Sequence, residues 1–208
     1  MKKLHWIECI IAAALAVILA DLAKAQTYDR LPAVAASAPA EASARPVPAW
    51  RVFCEQHPTE CSVDLREPET AKLGRSVWQQ MVAVNARVNA SVRPLNDEAH
   101  WGVADSWGYP TDGYGDCEDY QLLKRKLLIE AGLPRRALLM TVVIDDKGDG
   151  HAVLTVRTDR GDFILDNKTS AVLPWDRTGY VFVKREGQDG SGWTSLGGAG
   201  SPLATANR

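Results

Sequence analysis

A surplus of positive charge is missing from this chain of 208 residues: 24 Lys and Arg face 26 Asp and Glu, for a formal net charge of -2 at pH 7. Proteins that hold nucleic acid through its phosphates carry such a surplus, so that class of partner is not expected. Cysteine is scarce, with four residues, too few for a small fold built on disulfides. Long hydrophobic runs are also absent. The stretch from Ile10 to Ala20 falls well short of the ~20 residues a helix needs to cross a bilayer, and Glu8 and Asp21 flank it. No internal repeat is visible. With 46% apolar and 24% charged residues, the chain is neither collagen-like nor disordered throughout. One soluble domain plus some non-core sequence fits these figures.

The first 25 residues have the layout of an export signal. Lys2 and Lys3 precede the apolar run, and Ala23-Lys24-Ala25 offers the small-x-small pattern of a cleavage site. Cleavage after Ala25 predicts a periplasmic or secreted product with no stable membrane span; an uncleaved N-terminal anchor is the alternative. Residues 26–49 include an Ala/Pro-rich tract (PAVAASAPAEASARPVPA) with few large apolar side chains, which reads as a linker. Residues 186–208 are rich in Gly and Ser and read as a flexible tail. One compact domain is expected over residues 50–185.

Within it, Cys54 and Cys61 flank Pro58 in FCEQHPTEC. In an oxidising compartment a local disulfide is the plain reading, with two free thiols as the alternative; a metal site using His57 lacks a fourth ligand. Loss of Cys9 with the signal leaves Cys117 unpaired. Leu73, Val77, Met81, Val84 and Val88 recur at helical spacing, predicting a helix from about Glu69 to Val92 that Pro94 ends. A second helix should start near Asp116, with Tyr120, Leu123, Leu127 and Ala131 on one face and a stop at Gly132 and Pro134. The period then switches to strands at about 137–144, 151–158, 162–165 and 180–184. Helices first and antiparallel strands after them predict an α+β fold.

Cys117 falls at the first turn of the second helix, after Gly115 and the candidate N-cap Asp116. The positive helix end there favours thiolate over thiol and can hold an oxyanion. His151 opens a strand after a Gly-rich turn, and Asp166 closes the next one. Cys, His and Asp in that order supply a nucleophile, its base, and a group that orients the base. The spacing leaves a gap. A two-residue turn at Arg160-Gly161 puts Asp166 opposite Thr155, about 13 Å along the sheet from His151 at ~3.3 Å per residue. A bulge or a shifted register is needed to join them.

The runs GYGDCEDYQLLKRKLLIEAGLP and DGHAVLTVRTDRGDFILDN resemble the bacterial transglutaminase-like cysteine proteinases. So do the segment from Phe53 to Cys61, VNARVN (Val84 to Asn89), DSWGYP (Asp105 to Pro110) and YVFVKR. The resemblance spans roughly residues 51–185. It implies a papain-like, transglutaminase-core fold with N-terminal helices on an antiparallel sheet. It also implies a catalytic triad at Cys117, His151 and Asp166, acting on a protein substrate. One branch of that family comprises periplasmic proteases that release surface adhesins and bind calcium through acids flanking the nucleophile. Here those acids are Asp116 and Glu118, which together with Asp119 crowd the thiol with negative charge that a hard cation would cancel. Helix capping by the same acids needs no metal.

The expectation is an exported, monomeric cysteine endopeptidase using an acyl-enzyme, with calcium at Asp116 and Glu118. An acyl transferase on the same triad is the alternative. So is a non-catalytic binding module built on the Trp/Tyr-rich segment 101–115.

Overall fold

The computed structural model describes residues 30–190 and 192–198. The expected export signal and the last ten positions lie outside the described residues. Five helices precede or flank a sheet: α1 (Pro48–Gln56), α2 (Pro58–Cys61), α3 (Arg75–Ser91), α4 (Asp97–Trp101) and α5 (Cys117–Glu130). The strands are β1 (Ser43–Ala44), β2 (Arg93–Pro94), β3 (Tyr114–Gly115), β4 (Leu138–Ile144), β5 (Gly150–Thr158), β6 (Gly161–Leu165), β7 (Leu173–Pro174), β8 (Val181–Glu186) and β9 (Trp193–Ser195). Seven of them form an antiparallel sheet in the order β1-β9-β8-β4-β5-β6-β7, while β2 and β3 make a short parallel pair. The fold is α+β, as the order of helical and strand periodicity implies.

Strand alternation divides the sheet into two faces. Leu138, Met140, Leu154, Val156 and Phe163 turn toward α3 and α5 and join the main core with Trp78, Met81 and Leu122. Val143, Val153, Ile164 and Phe182 form a smaller cluster, against which Trp175 and Tyr180 pack. Helix α3 begins at Arg75 rather than near Glu69, because Ala71 bridges to Thr158 and the Leu73 N–H donates to Asp159 Oδ1 at 2.8 Å. Those tertiary bonds hold residues 71–73 extended against the β5–β6 turn.

Helix α5 stops as expected, with Gly132 at φ 92° and the Leu133 N–H returning to the Leu128 carbonyl at 3.0 Å. Its buried surface differs from the apolar stripe. Leu123 and Leu127 are half-buried and Ala131 is exposed, whereas Gln121, Lys124 and Arg125 are fully buried. The helix lies between the sheet and α3, so polar side chains enter the interior, where Arg125 meets a carboxylate while Lys124 Nζ has no hydrogen-bond partner among the described residues. Arg125 pairs with Glu186 on β8 at 3.0 Å, and Arg135 pairs with the same carboxylate at 3.2 Å.

Glu186 also accepts from Trp50 Nε1 at 2.7 Å and the Met140 N–H at 2.9 Å, so the sequence that starts at 186 is not a flexible tail over its described part. Trp193 on β9 is buried and packs edge-on to Trp50 and Trp107. The Ala/Pro tract likewise differs from a linker. Ala35 and Ala36 bond the β5–β6 turn, β1 pairs with β9, and Ala38 and Val47 are buried. Composition hides this, because a strap that docks by backbone hydrogen bonds needs no large side chains. Cys54 and Cys61 form a disulfide with their Cα atoms 5.6 Å apart, tying α1 to α2.

Candidate active site

Cys117 is the first residue of α5 and the one cysteine among the described residues outside a disulfide. Gly115, two residues before it, has no room for a side chain: a Cβ there would lie 2.6 Å from Asp119 Oδ2. That close approach lets Asp119 Oδ2 accept from the Asp116 N–H at 3.4 Å and closes the helix start. The thiol sulfur accepts from the Ala152 N–H at 3.3 Å, so the head of α5 touches the strand residue that follows His151.

The gap between His151 and Asp166 closes by a shifted register. Thr158 pairs with Gly161, which makes Asp159-Arg160 the two-residue turn instead of Arg160-Gly161. Gly161 has φ 106°, and a Cβ on it would meet the Ala35 carbonyl at 2.4 Å. The pairing of Leu154 with Leu165 then brings Asp166 opposite Val153, one same-face position from His151, or about 7 Å of strand. The imidazole spans that interval, and His151 Nε2 lies 2.8 Å from Asp166 Oδ1. Asp166 Oδ1 accepts the Lys168 N–H at 3.0 Å, and Oδ2 accepts the Tyr180 hydroxyl at 2.7 Å. Asn89 of α3 donates to the Asp166 carbonyl at 2.8 Å and anchors the loop. His151 Nδ1 is buried and has no hydrogen-bond partner among the described residues.

Burial would raise the Asp166 carboxyl, but the His151 contact, the Lys168 N–H and the Tyr180 hydroxyl together hold it below the usual carboxylate range. The Cys117 thiol is pushed well up, first by burial and then by the charges of Glu118 and Asp116. Those acids belong to a larger group than the sequence suggested. Carboxylate oxygens of Asp97, Asp105 and Glu118 lie within 4.8 Å of one another, as do those of Asp97, Asp116 and Asp119. Asp97 opens α4 and Asp105 stands in DSWGYP, a motif that could have flagged it; nothing local marks Asp97. Burial raises Asp116 to about 6 and Asp119 to about 8, and lifts Glu118 well above its ordinary value, with mutual repulsion adding to each. Asp97 Oδ1 and Asp116 Oδ1 are buried without a hydrogen-bond partner among the described residues. Hard oxygen donors gathered this closely, two of them with unused lone pairs, fit a divalent cation such as calcium.

A cleft of about 350 Å³ runs beside the site, lined by Pro94, Leu95, Asn96, Ala99, Asp116 and Asn167. Its last two residues adjoin Cys117 and Asp166 in sequence. Cys117 and His151 themselves have no solvent exposure, so a substrate must displace part of the cleft wall to reach the sulfur.

The profile of the bacterial transglutaminase-like cysteine proteinases (BTLCP) matches residues 40–201. The chain belongs to this family. It is accordingly a transglutaminase-like cysteine peptidase, and proteins are its substrates. Among solved structures, calcium-bound LapG of Legionella pneumophila is similar at 22% identity, covering 62% of this chain and 84% of LapG with a TM-score of 0.49. A second LapG structure has 22% identity, covering 61% of this chain and 80% of that one, with a TM-score of 0.48. An EGTA-treated LapG structure has 20% identity, covers 68% and 83%, and gives a TM-score of 0.44. No curated protein matches. Among the described residues no helix is long and apolar enough to cross a membrane.

Proposed function

We propose that the protein is an exported endopeptidase that cleaves peptide bonds through Cys117, His151 and Asp166. The observation that carries this reading is the convergence of the three at one strand end: the Cys117 sulfur on the Ala152 N–H, and His151 Nε2 at 2.8 Å from Asp166. With Nε2 committed to the carboxylate, Nδ1 is the nitrogen left to take the thiol proton. The sulfur attacks the scissile carbonyl as that proton moves to Nδ1, and the positive end of α5 stabilises the oxyanion. Nδ1 returns the proton to the departing amine, leaving a thioester on Cys117. A water, deprotonated by the same nitrogen, then releases the acid and restores the thiol. Asp166 remains ionised throughout and steadies the imidazolium.

Asp97, Asp105, Asp116, Glu118 and Asp119 would hold calcium, their oxygens being hard donors gathered within reach of one ion. When bound, the ion supplies positive charge that offsets the carboxylates opposing the thiolate. The family resemblance and the export-signal layout together support a periplasmic setting and a surface adhesin as the substrate class. Comparison of protein N-termini in a bacterial periplasmic extract treated with wild type or Cys117→Ala tests the reading. New termini produced by wild type alone support it, and an identical set from both proteins overturns it.

A further inference from the structure

In the sequence Tyr180 opens a strand and the run YVFVKR, neither of which gives it a place in the site. In the structure its hydroxyl donates to Asp166 Oδ2 at 2.7 Å, and its ring stands edge-on to the His151 ring, with centroids 5.8 Å apart and planes at 84°. The ring packs against the cluster of Val143, Val153, Ile164 and Phe182, so the hydroxyl is carried on a seated side chain. Gly179, at φ 77°, turns the chain just before it. The two oxygens of Asp166 thus receive three donors from three directions: His151 and the Lys168 N–H on Oδ1, and Tyr180 on Oδ2.

A carboxylate held by one imidazole can swing about its Cα–Cβ and Cβ–Cγ bonds, and the imidazole swings with it. A third donor on the other oxygen fixes the plane of the carboxylate and so the direction of the ring. We propose that Tyr180 is a positioning residue for the hydrolysis, acting through Asp166 to hold the His151 imidazole in its reactive orientation. This rests on the triad reading above. The phenol is suited to the task. Burial, and then the neighbouring carboxylate, push it well above its ordinary value, so it stays a donor at any working pH. The edge-on ring also shields one side of the His151–Asp166 pair from water, which strengthens that pair.

The test is steady-state hydrolysis of p-nitrophenyl acetate by the full chain in calcium-containing buffer, comparing wild type, Tyr180→Phe, Asp166→Asn and the double variant. Phenylalanine keeps the ring in its apolar seat and removes only the hydroxyl. The expected result is a kcat lower by roughly 10- to 100-fold in Tyr180→Phe, the range for a hydrogen bond to a charged group, with KM unchanged. The double variant should be no slower than Asp166→Asn alone, since the hydroxyl acts only through that carboxylate. A wild-type kcat in Tyr180→Phe overturns the proposal. So do losses that multiply in the double variant, which place the effect of the hydroxyl on the fold at large. Cys117→Ala is run alongside. Hydrolysis at the wild-type rate by that variant removes the triad reading itself, whereas Cys117-dependent turnover with an unaffected Tyr180→Phe removes the role of Tyr180 alone.

Discussion

His151 Nε2 and Asp166 Oδ1 lie 2.8 Å apart across a separation of 15 residues, and the register of one hairpin joins them. Because the turn falls at Asp159-Arg160, Asp166 closes β6 one same-face step from His151. The pair is therefore set by Gly161, which pins the turn against the Ala35 carbonyl, as much as by the two residues themselves.

Removing the pair should remove turnover. His151→Ala should lower kcat for ester or peptide hydrolysis on the order of 10³-fold or more, and Asp166→Asn should impair it with the fold retained. Residues acting as a unit do not add, so the double variant should match the worse single. Steady-state kinetics with circular dichroism as a folding control checks this; independent, multiplying losses would show two separate roles.

Calcium should raise both melting temperature and activity, with magnesium a poor substitute because it resists giving up water. Asp97→Asn and Asp116→Asn should each erase the melting shift. The pH dependence has a definite sign. Without metal, the folded state keeps protons on Asp116 up to about 6 and on Asp119 up to about 8, while the unfolded chain releases them near 4. The chelated protein should therefore gain stability as pH falls from about 8 to 5. Protons compete with the cation, so the calcium-induced shift should be largest near pH 8 and shrink toward pH 5. A thermal melt series with and without chelator measures both trends.

Thiol counting without reductant should find one reactive group per folded and then denatured chain of residues 26–208, at Cys117, because Cys54 and Cys61 are joined. The label should enter slowly before denaturation, since the sulfur has no solvent exposure. Reducing the bridge should cost about 2 kcal/mol of stability by freeing a short loop in the unfolded chain.

Glu186→Gln should destabilise the protein by about 3–5 kcal/mol, because it leaves Arg125 and Arg135 buried without their counter-charge. Burial raises the Glu186 carboxyl, but Arg135 and Arg125 outweigh it and hold the group below its ordinary value. Its contribution is present above about pH 4.5 and is lost as pH falls through the folded value. The gap in melting temperature between wild type and variant should be steady near neutral pH and close in acid.

Glu186 also shows where sequence reading ran out. Standing at the head of a Gly/Ser-rich run, it looked like the start of a tail, and only the buried guanidinium groups from α5 and the 3-10 turn at Arg135–Ala137 explain it. The α5 start at Cys117, its stop at Gly132 and the four core strands were legible, because capping and turn chemistry are local. The β5–β6 register was not. One residue of turn placement moves every partner by two, and the contact that decides it comes from Ala35, in a tract whose composition suggested no contacts at all. The acidic site was half legible: Asp116 and Glu118 adjoin the thiol, while Asp97 arrives from α4 by tertiary folding. Tyr180 opens the run YVFVKR, but its place beside Asp166 was not legible for the same reason.

Mass spectrometry of the acyl-enzyme tests the central claim most directly. Rapid acid quenching of the full chain after p-nitrophenyl acetate should leave one acetyl group, on the peptide containing Cys117, in wild type and none in Cys117→Ala. A wild-type protein that turns over the ester with the acetyl group on another residue, or a Cys117→Ala protein that turns it over at the wild-type rate, would contradict the account.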